Sequence, residues 1–165
     1  MKTIKVQKLS REAFRPFGDF VDLINDPSFD GKEDRTNVFT PNLLPFFLDG
    51  RTPATVNASR LKDDKKIVTG YEWHSYTCEV MVALDGDMII FLGAELRGPA
   101  AIPEIEAFYV PQGTVVKLNP GVLHGRQFTA GKEDVHVLIL LPTRTFANDV
   151  GRGRLEEADQ VLIED

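Results

Sequence analysis

From residue 67 to residue 141 the apolar positions fall in short runs divided by turn residues, and none repeats at the spacing of a helix face. Strands are predicted at 67–69, 71–74, 79–84, 88–92, 107–110, 114–118, 126–128 and 135–141, with Gly86, Gly93, Gly113, Gly121 and Gly131 at the corners. Upstream, Ile4 and Val6 alternate with Lys5 and Gln7, which reads as an edge-type strand over 3–8. Ser10 can cap a short helical turn that runs to Phe14, with Glu12 near its positive end and Pro16 and Gly18 stopping it. Extended segments follow at 20–24 and 54–61, separated by a polar loop at 25–34. Between them, Leu43, Leu44, Phe46, Phe47 and Leu48 stand among Pro41, Pro45 and Pro53, an apolar stretch without regular period. It reads as a loop packed on the rest of the domain or as a dimer contact. The charge run 62–66 reads as a solvated hairpin tip, and 93–103, with Pro99 and Pro103, as a loop. After Pro142 the chain turns polar, with Phe146 as its anchor, and 156–165 can add a last strand or a short helix on the outside. Many short strands with no helical segment between them predict an all-β sandwich or barrel.

At 165 residues the chain is expected to form a single domain over 1–165. Apolar residues make up 42% and charged residues 27%, the balance of a soluble globular protein. A net charge of −6 argues against nucleic acid or an anionic membrane as partner, and leaves open a local basic pocket for a small acid. No basic segment or helix-turn-helix pattern points to a transcription regulator. The single cysteine, Cys78, has no internal partner, and neither a signal-peptide run nor a membrane-spanning stretch is visible. A reducing, cytoplasmic setting is the expectation.

The candidate chemistry gathers in two stretches, EWHSYTCEVMVALDG (72–86) and GTVVKLNPGVLH (113–124). Glu72 and His74 are two apart, so on a strand they share a face while Trp73 turns to the other. Glu79 lies in an apolar run where an unpaired carboxylate is costly, which calls for a partner, either a metal or a cation such as Arg126 or Lys117. His124 follows the Pro120-Gly121 turn. Arg126, two residues on and on the same side of a continuing strand, is the first candidate to hold a substrate carboxylate, with Lys117 as the alternative. His136 and Cys78 are assigned no site role, the latter facing away from Glu79.

The two stretches resemble the paired motifs of the cupin superfamily, antiparallel jelly-roll-like β-barrels that carry their ligands on facing strands. The first motif reads Gly, five residues, His-x-His, three or four residues, Glu, six residues, Gly; here His74, Glu79 and Gly86 match. Glu72 stands where the first His belongs, and Lys66 where the leading Gly does. In the second motif Gly113, Gly121 and His124 match, Asn119 replaces the Pro and Phe128 the Asn. Within the superfamily the chain is similar to the ureidoglycolate lyase family, through VQKLSREAFRPFGDFVD near the start and IEAFYVPQGTVVKLNPGVLHGRQF later.

That resemblance implies a cupin-type antiparallel barrel with short helical turns, which releases urea and glyoxylate from ureidoglycolate. His74, Glu79 and His124 are the metal ligands it implies, for zinc, nickel, manganese or iron, with Glu72 as a further ligand. Glu72, His74, Glu79 and His124 are the implied acid/base groups, and Arg126 or Lys117 the implied substrate contacts. The competing classes are a metal-dependent oxygenase or isomerase and a non-catalytic barrel that binds a small ligand. The resemblance also implies a homodimer that pairs through sheets and N-terminal strands, for which the apolar 43–48 segment gives a physical reason.

Overall fold

A computed structural model describes residues 1–25, 27, 30, 36–48, 52–94, 103–131 and 133–164. The chain runs β1 (Lys2–Lys8), α1 (Arg11–Phe14), β2 (Gly18–Asp22), β3 (Ala54–Leu61), β4 (Ile67–Val68), β5 (Gly70–Trp73), β6 (Glu79–Ala83) and β7 (Met88–Gly93). It continues with β8 (Ile105–Val110), β9 (Thr114–Leu118), β10 (Phe128–Thr129), β11 (Val135–Pro142), α2 (Thr145–Asn148), β12 (Gly151–Arg154), a 3₁₀ turn (Glu157–Asp159) and β13 (Val161–Glu164). A six-stranded sheet in the order β10-β7-β8-β1-β13-β4 faces a five-stranded sheet, β2-β9-β6-β11-β3, and β12 pairs with β5 in a separate ribbon. This is the predicted all-β architecture with short helical turns, two sheets curled around a common core.

One core lies between the two sheets. The inward residues Met81 and Ala83 of β6, Val116 and Leu118 of β9, and Val137, Ile139 and Leu141 of β11 meet Met88, Ile90, Leu92, Phe108 and Val110 of the opposite sheet. A second cluster, with Ile89, Phe91, Ala107, Phe128, Val161 and Ile163, covers the other face of the six-stranded sheet. β7 belongs to both clusters, so all six of its residues are buried, and its run of apolar residues without alternation follows from that double coverage. The Ser10 hydroxyl caps α1 by accepting from the Ala13 N–H at 3.2 Å. The capped turn delivers Phe14 into the core, edge-on to Phe108 at 5.3 Å and to Phe20 at 5.7 Å between ring centres.

Several expectations change. β1 is an interior strand: its first half pairs in parallel with β13 and its second half with β8, which short-range alternation does not encode. The C-terminal segment forms both the 3₁₀ turn and β13, and β13 is sheet structure between β1 and β4. The 62–66 run is a crossover between sheets and not a hairpin tip, since β3 pairs with β11 while β4 pairs with β13. Arg126 precedes β10, which is shorter than predicted, and Thr145 is the buried residue of α2 while Phe146 stays 54% exposed. In the 43–48 segment Leu43, Leu44 and Leu48 are half-buried and Phe46 and Phe47 exposed. The predicted loop at 93–103 lies largely outside the described residues, as does part of 25–34.

Replacing a fully buried ring that touches both sheets and α1 is expected to be costly. Phe108→Ala should lose about 3–5 kcal/mol of unfolding free energy in urea titration, against within about 0.5 kcal/mol for Val56→Thr on the exposed face of β3.

Candidate metal centre

The strands bring the two sequence stretches together at one point. Glu79 is the first residue of β6 and shares its inward face with Met81 and Ala83, so its carboxylate enters the barrel interior. His74 lies just past the end of β5, with its carbonyl accepting from the Gly121 N–H at 2.7 Å. Gly121 holds φ +83°, a backbone conformation open to glycine and strained for other residues, and this turn sets the path to His124. His124 is then fixed by a two-way backbone bridge to Glu72, N–H to carbonyl at 2.7 and 2.9 Å.

His74, Glu79 and His124 are only 2%, 5% and 4% exposed, and one ligand atom from each lies within 4.8 Å of the others. His74 Nε2 is 3.1 Å and His124 Nε2 3.2 Å from the same oxygen, Oε2 of Glu79. On the far side of each ring, Nδ1 contacts a backbone carbonyl, that of Asp149 at 2.6 Å for His74 and that of Val122 at 2.9 Å for His124. A carbonyl only accepts, so both Nδ1 atoms carry the proton, and both Nε2 atoms are left facing the carboxylate. With lone pairs there, three acceptors converge; with protons, two buried cations share one anion. A divalent cation resolves both conflicts, and the separations suit it, because ligand atoms about 2.1 Å from a common ion stand about 3.0–3.4 Å apart. The residues present therefore fit a metal held by two Nε2 atoms and one carboxylate, a mixed set suited to zinc, nickel, manganese or iron.

Burial pushes the Glu79 carboxyl up, but the bonds and charges of His124 and His74 outweigh it and hold it down to about 2 from an ordinary 4.5. Burial disfavours the charged form of His124, yet the bond to Glu79 raises it above its ordinary 6.5.

The triad adjoins a cleft of about 440 Å³ lined by Glu79, Glu72, Asn57, Ser59, Arg126 and Gln127 on its polar side and by Ile139, Leu141 and Phe146 on its apolar side. Glu72 lies outside the three-residue cluster; its carboxylate lines the cleft and meets Arg152 Nε at 3.5 Å. The β12–β5 ribbon explains this orientation. Gly151 and Gly153 leave room for the rings of Trp73 and Tyr71, since a Cβ at either glycine would sit 2.2 Å from ring carbon, while Arg152 stands opposite Glu72. Arg126 reaches the cleft from a loop and not from a continuing strand. Its Nη2 donates to Asp64 at 3.0 Å and to the Lys65 carbonyl at 3.2 Å, and its guanidinium covers Phe128. Lys117 is not brought to the site: it alternates with the buried Val116 and Leu118 on β9 and donates to Asn119 at 3.0 Å. His136 bonds to Asp85 on the surface. Asn57, Ser59, Gln127 and Asp149 were missed by the sequence reading, because each enters through pairing or packing with segments remote in the chain.

Two curled sheets with a buried His-Glu-His cluster between their strands define a cupin barrel. The chain belongs to the family described as Domain of unknown function (DUF4867), which matches residues 56–165. No curated protein sequence matches. Among solved structures, the chain is similar to a dTDP sugar isomerase from Desulfovibrio desulfuricans G20, at 12% identity over 74% of each chain, with a TM-score of 0.51. It is also similar to a mutant of oxalate decarboxylase from Bacillus subtilis, at 13% identity over 63% of this chain and 24% of the other, with a TM-score of 0.43. RmlC from Streptococcus suis in complex with dTDP-D-xylose matches at 13% identity over 66% of this chain and 53% of the other, with a TM-score of 0.41. At 12% identity the likeness to the first of these is one of fold alone. No helix among the described residues is long and apolar enough to cross a membrane.

The two shifted groups set a pH window for metal-free protein. The lowered Glu79 contributes stability that is present above its ordinary 4.5 and is lost as pH falls toward about 2. The raised His124 contributes stability that is present below its ordinary 6.5 and is lost as pH rises through its higher folded value. Melting temperature in chelator should therefore fall on both sides of that window. With zinc added, the upper decline should disappear, because the ion takes the place of the proton on His124 and binds more tightly as pH rises.

Proposed function

We propose that this chain is a metal-dependent cupin enzyme acting on a small polar substrate in the cleft beside His74, Glu79 and His124, with cleavage of ureidoglycolate to urea and glyoxylate as its reaction. The observation that carries the metal-dependent part is the pair of Nε2 atoms turned toward one buried carboxylate oxygen while both Nδ1 atoms are tied to carbonyls. The choice of ureidoglycolate is supported by the resemblance of the N-terminal and second-motif stretches to that lyase family, and by the cleft's mixture of one cation with side-chain amides.

In this reading the bound ion supplies a Lewis acid that polarises the substrate's hydroxyl or carboxylate oxygens. Glu79, His74 and His124 are committed to holding it, which leaves Glu72 as the carboxylate free to move a proton. Glu72 takes the hydroxyl proton as the carbon–oxygen double bond forms and the carbon–nitrogen bond breaks, and it returns that same proton to the departing nitrogen, which leaves as urea. Arg126 keeps its Nε and Nη1 donors for the substrate carboxylate while Nη2 stays on Asp64. Asn57 and Gln127 face the ureido group, and Phe146 with Leu141 closes the apolar side. The homodimer belongs to the same proposal, with the exposed Phe39, Phe46 and Phe47 as its contact residues.

The test is urea release from ureidoglycolate by protein purified without chelator, alongside metal analysis. Wild-type protein that holds a divalent metal and yields no urea would remove the lyase and keep the metal centre; oxygen uptake with bound iron would favour an oxygenase. Glu72→Gln is expected to lower kcat by about 10²–10⁴-fold with metal content unchanged. Arg126→Ala is expected to act mainly on KM, raising it by about ten-fold or more, as loss of a charge-assisted hydrogen bond of about 1.5–3 kcal/mol implies.

A further inference from the structure

His74 is the ligand with the least support from its own strand, since β5 ends at Trp73 and residues 74–78 form no ladder before β6 begins. Its carbonyl is held by the Gly121 N–H, and the outer side of its ring by a segment 75 residues away. α2 is fixed at its start by Thr145, a buried residue whose hydroxyl donates to the Pro142 carbonyl at 2.8 Å. At its end stands Asp149, which makes three contacts with the His74 turn. Its carbonyl receives the His74 Nδ1 proton at 2.6 Å; one carboxylate oxygen accepts from the Ser75 N–H at 2.7 Å and the other from the Tyr76 N–H at 3.0 Å. Phe146, from the same turn, sets its ring edge-on to the imidazole at 6.3 Å between centres.

We infer that Asp149 is a positioning residue for the metal centre: its carboxylate clamps the Ser75–Tyr76 amides so that its own carbonyl fixes the tautomer and orientation of His74. The inference rests on the metal reading above. Two consecutive backbone N–H groups bound by one carboxylate leave the turn little freedom, and they lock the distance between the Asp149 carbonyl and the ring. Removing the carboxylate frees two amides at once, while the carbonyl stays in the chain but loses its register with Nδ1. Outer contacts of this kind set ligand basicity and direction, and their loss costs about 10–100-fold in metal affinity. Asp149→Asn keeps one acceptor and replaces the other with a donor, so it should lie between wild type and Asp149→Ala.

The experiment measures Co²⁺ and Zn²⁺ dissociation constants for full-length wild type, Asp149→Ala, Asp149→Asn and a control, Asp85→Ala. Asp85 is the matched control because its carboxylate also holds a backbone N–H, that of His136 at 2.7 Å, and the ring Nδ1 at 2.6 Å, remote from the triad. The expected result is affinity 10–100-fold weaker for Asp149→Ala, less for Asp149→Asn and unchanged for Asp85→Ala, with the visible Co²⁺ spectrum altered only in the Asp149 variants. Equal affinity and spectrum in wild type and Asp149→Ala would overturn the clamp while leaving the metal centre standing. Absence of Co²⁺ and Zn²⁺ binding in wild type would overturn the metal reading itself. ¹⁵N NMR of the wild-type imidazoles decides the clamp without any variant: His74 protonated at Nδ1 supports it, and His74 protonated only at Nε2 overturns it.

Discussion

A carboxylate on the inward face of a β-strand, next to Met81 and Ala83, is the constraint around which the rest of this molecule is arranged. Alone, Glu79 would be a buried charge whose cost exceeds what the neighbouring packing returns. Two imidazoles from different parts of the chain converge on one of its oxygens, and each imidazole is itself anchored by a carbonyl on the opposite side. The result is a buried cluster whose members are fixed from both ends and whose ligand atoms could hold a cation. Positions around it serve either to build this cluster or to shape the cleft that opens from it.

The sheets supply the rigidity. β6 lies between β9 and β11, so Glu79 cannot shift without moving a strand held on both edges. β7, covered on both faces, binds the barrel core to the outer cluster and gives the six-stranded sheet a fixed curvature partner. The β12–β5 ribbon adds what the main sheets lack. By laying Tyr71 and Trp73 across two glycines it turns Glu72 toward the cleft and leaves Arg152 beside it. α2 then closes the arrangement from the C-terminal side, where Phe146 faces the cleft and Asp149 meets the His74 turn.

The pattern of short apolar runs was enough to place most strands and to predict an all-β barrel, because alternation and turn residues are local properties of the chain. β3 and β9 appear with the bounds expected of them, and the Ser10 cap behaves as its residue type dictates. Motif spacing likewise singled out His74, Glu79 and His124, since a carboxylate in an apolar run and a histidine after a glycine turn are unusual enough to be seen without coordinates. Lys117 and Arg126 were harder. Lys117 falls on the outward phase of β9, between the buried Val116 and Leu118, and β10 begins only at Phe128, so no strand carries Arg126 in alternation with His124.

What the sequence by itself determined is the set of groups that must find partners and the strands that carry them. Tertiary structure alone decided which partners those are: the parallel placement of β1 between β8 and β13, the crossover at 62–66, the engagement of Arg126 with Asp64 and the hydrogen bonds of Asp149 to the His74 turn. The physical reason is distance along the chain. Strand formation and capping depend on neighbours a few residues apart, whereas the contacts that aim His74 and line the cleft join segments tens of residues away, and their pairing depends on how the sheets close.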